Sequence, residues 1–245
     1  MKNRRAFLMG SAALAAGAGA VGLNVATRGL AAAQNSAAGS DAMVLELRRQ
    51  FRAALPGLRK ADGESARQYA AALRTFAAYA KTRDFDGQVR RGLRRVIAER
   101  GRAEVLDMTP NHAEMEAKIR DLGGTDEDVK RLHGPVDITR KELALDGLLK
   151  EGLTPAMERL AAMLERGSTG MDRNSGNIRT VAQFQGATCD EICGYADLLG
   201  EYMNFVCAMV AIFPIMADVC IAAIGAWTGA LAACGLCRIG QYFWG

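Results

Sequence analysis

No cysteine occurs before position 189 of this 245-residue chain, and histidine appears only twice, at His112 and His133. No stretch of useful length alternates apolar and polar residues, which removes a sheet and leaves an all-α fold. There is no G-x-x-x-x-G-K-[ST] to cradle phosphates, no G-x-S-x-G elbow to expose a serine, and no H-E-x-x-H to hold zinc. His112-Ala113-Glu114 with Cys234-Gly235-Leu236-Cys237 approaches a zinc deaminase pattern, but Ala233 stands where that chemistry needs proline. The expectation is therefore a protein that is not an enzyme, with no catalytic, cofactor-binding or metal residues. A formal net charge of only +4 also argues against a nucleic-acid partner.

What is present divides into four parts. Residues 1–33 read as an export signal: a basic start, an Ala/Gly-rich apolar stretch from Ala6 to Ala26, and small residues ending at Ala31, Ala32 and Ala33, so that cleavage at an A-x-A site (Ala31, Ala33) leaves Gln34 first. Arg4, Arg5, Phe7 and Leu8 in NRRAFLMG resemble the twin-arginine signal, which implies export of cargo already folded, to the envelope or the medium. Residues 34–166 read as a helical domain. Val44, Leu47, Phe51 and Leu55 recur at helical spacing, as do Tyr69, Leu73, Phe76 and Tyr79, and then Val89, Leu93, Val96 and Ile97. Stops at Pro56-Gly57, Asp62-Gly63, Leu122 to Thr125, Thr109-Pro110 and Thr154-Pro155 divide this part into a bundle of five or six helices. One of them carries Arg90, Arg91, Arg94 and Arg95 on its polar side, a basic face that could hold an acidic partner or anionic lipid, or be an ordinary solvated face. Residues 167–186, GSTGMDRNSGNIRTVAQFQG, are polar and without apolar period, which predicts a surface linker.

Residues 187–245 are different material. Between Glu201 and Arg238 the only charged residue is Asp218. The stretch from Gly186 carries a net charge of −4, against +4 for residues 34–185. All six cysteines lie here, at Cys189, Cys193, Cys207, Cys220, Cys234 and Cys237. Their spacing is nearly palindromic about Pro214. An antiparallel helical hairpin turning there would oppose Cys189 to Cys237, Cys193 to Cys234 and Cys207 to Cys220, although six cysteines allow about 15 connectivities. Five of the six share a stripe on their arms, and Cys237 fits least well, so a frayed or 3₁₀ end is expected there. Alternatives for the thiols are a redox C-G-L-C pair or a metal site. The apolar arms have nearly the length of membrane spans, and Gly225-x-x-x-Gly229 offers a close-packing face. The closing Tyr242, Phe243 and Trp244 would suit either an interfacial anchor or a small apolar cap.

The order of a twin-arginine signal, a soluble helical middle, a polar linker and a compact cysteine-rich apolar peptide resembles the precursors of the microhalocins, peptide antibiotics of the halocin C-eight type. That resemblance implies a C-terminal peptide released as the toxin and an N-terminal part that protects the producer. The expected partners are membrane lipid for the C-terminal part and an intramolecular contact between middle and tail. A non-catalytic envelope protein anchored by its hairpin, and an exported cofactor-binding redox protein, are the other classes.

Overall fold

The periodic apolar positions become helices, and there are more of them than the period alone predicts. A computed structural model of the chain describes residues 42–135, 137–172 and 188–244, the side chains of 169–172, 215 and 239–244 excepted. The export residues Arg4, Arg5, Phe7 and Leu8, the cleavage residues Ala31, Ala33 and Gln34, and the closing aromatic side chains lie outside what is described. The helices are α1 (42–58), α2 (Gly63–Thr82), α3 (Phe85–Arg100), α4 (Arg102–Asp107), α5 (His112–Asp121), α6 (Asp126–Leu132), α7 (Ile138–Lys150), α8 (Thr154–Asp172), α9 (Cys189–Ala208) and α10 (Ala217–Trp244). No strand occurs among the described residues. The fold is all-α, a helical bundle with a disulfide-stapled hairpin at its C-terminal end.

Among the described residues the middle thus holds eight helices where five or six are expected from periodicity. The extra ones, α4 and α6, are six and seven residues long, too short to display an apolar period. Gly101, in the left-handed region at φ 93°, separates α3 from α4. Pro56-Gly57 does not end α1, which runs on to residue 58 because Leu55 and Leu58 are both fully buried. The stop comes at Ala61, at φ 59°, after which the Asp62 carboxylate accepts from the Ser65 amide at 2.9 Å and starts α2. Thr125 forms a capping box with Asp128 at the head of α6. The α8 start is capped from a distance: Asp86 of α3 accepts from the amides of Leu153 and Thr154 at 2.8 and 3.1 Å.

The described residues from Met43 onward form one compact unit, so the basic middle and the apolar tail, distinct in composition, share a core. Within it α2 packs along α8 and α9 along α10, and α10 in turn meets α2, α5 and α8. Ion pairs such as Arg74–Glu165, with Nε to Oε1 at 2.7 Å, rim the α2–α8 contact. Helix α8 continues to Asp172, six residues into the stretch expected as a linker, with Ser168 buried and its hydroxyl donating to the Glu165 carbonyl at 2.7 Å. No proline stands in Gly167–Asp172 to stop it, and residues 173–187 lie outside what is described.

A seam between the middle helices and the hairpin as the candidate functional site

The hairpin is held by three disulfides, Cys189–Cys237, Cys193–Cys234 and Cys207–Cys220, nested one inside another, with Cα separations of 5.5, 4.8 and 4.8 Å. Helix axes ordinarily lie about 8–10 Å apart, so bonds this short need small residues at the crossing, which the Ala and Gly of both arms supply. Cys237 does not require a frayed end. The α-helix runs through it, and the wider Cα separation of its bond takes up the poorer phase. The turn comes where proline dictates: α9 gives way to 3₁₀ turns at Met209–Ala211 and Pro214–Met216, and Phe213 is extended, as a residue before proline must be. Cys234 and Cys237 bond to cysteines of the other arm rather than to each other, which removes the dithiol geometry of a C-x-x-C redox pair.

Against this hairpin the middle presents an aromatic wedge. Val219 to Cys234 of α10 are buried without interruption, and a helix that is apolar all round has no face to give to water. The stretch Ala217–Arg238 has the length of a membrane span and its most apolar 18-residue window a mean hydropathy of 1.9, yet that window is 94% buried inside the protein. The Gly225-x-x-x-Gly229 face is filled by Phe51 of α1 and Tyr69 of α2, whose rings pair at 4.7 Å between centroids. A Cβ added at Gly225 would overlap the Phe51 ring, and one at Gly229 would overlap the Tyr69 ring. The Tyr69 hydroxyl donates to the Gly225 carbonyl at 2.6 Å and lies 3.2 Å from the Thr228 hydroxyl. Complete burial pushes the Tyr69 phenol up, so it remains a donor at any ordinary pH.

A second, polar strip of the seam joins α9 to α7 and α8. Arg140 of α7 pairs with Asp197 of α9 at 3.1 Å, and the Tyr195 hydroxyl of α9 donates to the Ala156 carbonyl of α8 at 2.5 Å. Beside the Arg140–Asp197 pair opens a cavity of about 380 Å³ lined from both parts, with Lys141, Glu201, Asn204 and Trp227 among its walls and His112 and His133 also on its lining. Lys141 is buried and spends one donor on the Leu106 carbonyl at 2.8 Å. Burial pushes the Glu201 carboxyl up, while its bond to Asn204 and the Lys141 and Arg140 charges pull it down and Asp137 adds to the rise. The two histidine rings meet edge to face at 5.0 Å, and His133 Nε2 lies 2.8 Å from the Glu116 carboxylate. Among the described residues no group of three or more His, Cys, Asp or Glu could hold a metal ion.

The basic residues of α3 are not part of the seam. Arg91, Arg94 and Arg95 are exposed and Arg90 half-buried, with Arg91 paired to Asp84 at 3.0 Å and Arg95 to Glu99 at 2.7 Å. Sequence reasoning did not find the wedge: Phe51 and Tyr69 read as ordinary core positions, and the Tyr69 bond to Gly225 spans 156 residues. The Gly225/Gly229 spacing was the only local sign that something approaches α10 closely. No protein-family model, curated protein or solved structure matches this chain.

Proposed function

We propose that the chain is an exported bacteriocin-like precursor, non-catalytic, whose C-terminal disulfide-locked hydrophobic peptide acts on membranes and whose middle helices shield it until release. The observation that carries this reading is the asymmetry of the seam. The most apolar of the described helices is covered by α2, α5 and α8 of the middle on the sides that α9 leaves, while every disulfide lies within the tail. A middle without covalent links loses its fold when it is cut or unfolded. The hairpin does not, because its staples fix both arms.

Release would leave a peptide poorly suited to water. Val219, Ile221, Ile224, Trp227, Leu231 and Leu236 are all buried on α10, and exposing six such side chains costs roughly 9–18 kcal/mol in all, less whatever the α9 arm retains. A membrane offers those side chains the solvent they lose. One of the tail's carboxylates fits the same scheme, since Asp197 is bound by Arg140 of the middle, and the layout resembles that of microhalocin precursors. The experiment is dye release from anionic vesicles by the intact chain and by an oxidised peptide of residues 187–245. The peptide should release dye at concentrations where the intact chain is silent; equal release by both, or none by the peptide, defeats the reading. The alternative, an envelope protein anchored by the hairpin, requires the middle to leave α10 without being cut. Carbonate-washed membranes would then retain the intact chain.

A further inference from the structure

The turn of the hairpin is only partly covered by the middle. Residues 209–217, MVAIFPIMA, contain no charged side chain. Ala211, Ile212 and Pro214 are exposed and Val210 and Phe213 half-buried, with Ile212 37% exposed. An isolated exposed isoleucine is ordinary on a soluble protein. This one sits in an uncharged turn at the end of the most apolar helix of the chain, directly against a basic helix: the Phe213 ring edge and the Met209 sulfur pack on Gly92 of α3, where an added Cβ would come within 3.1 and 3.6 Å of them.

Helix α3 carries five arginines and two acids over Phe85–Arg100. Arg95 and Arg91 lie about 60° and about 100° round the helix from Gly92, on the flank beside the turn. Their partners Glu99 and Asp84 are exposed, and ion pairs of that kind hold so weakly that the guanidiniums exchange readily onto another anion. Arg90 and Arg94 lie about 160° round the helix from Gly92, on the side away from the turn. Guanidinium groups take phosphate in a bidentate fork. An apolar turn too small to anchor alone, next to a cluster of such groups, is the two-part combination that stable but reversible attachment to an anionic bilayer needs.

We infer that the intact chain docks on anionic bilayers through the Val210–Pro214 turn and Arg91 and Arg95 of α3, so that the hairpin is delivered tip first before the middle lets go. This rests on the membrane-acting reading above but concerns the uncut protein. The partner is the lipid surface itself, with headgroup phosphate as the ligand and the turn entering the acyl boundary to a depth of roughly 5–10 Å.

The test is flotation of the full chain with vesicles of equal parts phosphatidylglycerol and phosphatidylcholine, or of phosphatidylcholine alone. Four proteins are compared: wild type, Arg91→Glu/Arg95→Glu, Ile212→Asp and Ile212→Trp. All share the same N-terminal residues, so differences report the turn and α3. Circular dichroism and the absence of free thiols establish that each variant is folded. The charge-reversed and Ile212→Asp proteins should partition onto anionic vesicles at least tenfold less than wild type. The added tryptophan emission of Ile212→Trp should shift to the blue and be quenched by brominated lipid. Partitioning within twofold of wild type for both substitutions, or a tryptophan at 212 that stays in water, overturns the inference. If docking fails while the released peptide still permeabilises vesicles, only this inference falls. If docking holds while the peptide does not permeabilise, the precursor reading falls instead.

Discussion

Gly225→Ala separates the shielded hairpin from the free one by the sign of its effect. In an ordinary exposed helix the added methyl stabilises by roughly 0.5–1 kcal/mol, because alanine loses less backbone freedom than glycine. In the intact chain that methyl meets Phe51, which is fully buried and backed by the Tyr69 ring at 4.7 Å, so the ring has nowhere to turn. Overpacking of this kind costs about 1–3 kcal/mol. The net expectation is a loss of about 1–2 kcal/mol in the intact chain and a gain in the oxidised 187–245 peptide, where no Phe51 is present. Chemical unfolding followed by circular dichroism, with disulfides intact, measures both. Phe51→Ala alone should cost about 3–5 kcal/mol, and the double substitution should cost less than the sum by about 0.5–3 kcal/mol, because the methyl then has room. The reasoning is refuted if Gly225→Ala stabilises the intact chain, or if its cost is the same with and without the Phe51 ring.

Three further outcomes follow from the same seam. Asp86→Ala removes the side chain that accepts from the Leu153 and Thr154 amides, and the intact chain should lose about 1–2 kcal/mol in chemical unfolding, as for a lost helix cap. Replacing Cys207 and Cys220 together by serine opens a loop of sequence separation 13, with an expected loss of about 3 kcal/mol. Burial holds the Glu201 carboxyl above its unfolded value of 4.5, so the folded chain binds that proton more tightly. Stability contributed through Glu201 is therefore greatest in acid and declines as pH rises from 4.5 through the folded value. Glu201→Gln should leave stability in acid little changed and raise it at neutral pH, read from unfolding midpoints across that range.

Helices and their faces were legible in the sequence because period and caps are local. Asp62, Thr125 and the apolar stripes of α1, α2 and α3 each act within a few residues. The cysteine pairs were legible for a different reason, since an antiparallel hairpin keeps the sum of facing positions constant and the palindromic spacing carries that sum. What stayed hidden is held together by distant partners. Nothing near Phe51 or Tyr69 marks them as the wedge in α10, and nothing near Asp86 marks it as the cap of a helix 67 residues away. The length and apolarity of α10 suggested a membrane span; its burial comes from α9, its partner in the hairpin, and from α2, α5 and α8, whose approach no local pattern encodes. The short helices α4 and α6 escaped because fewer than two turns cannot show a period.

The most direct test of the shielded-precursor account is the mass of what the producing cell releases, measured on culture medium before and after reduction under denaturing conditions. The account predicts a fragment of about sixty residues containing Cys189 to Cys237, with no free thiol before reduction and six after it. Finding only the uncut chain, or a fragment whose cysteines are already free, would contradict it.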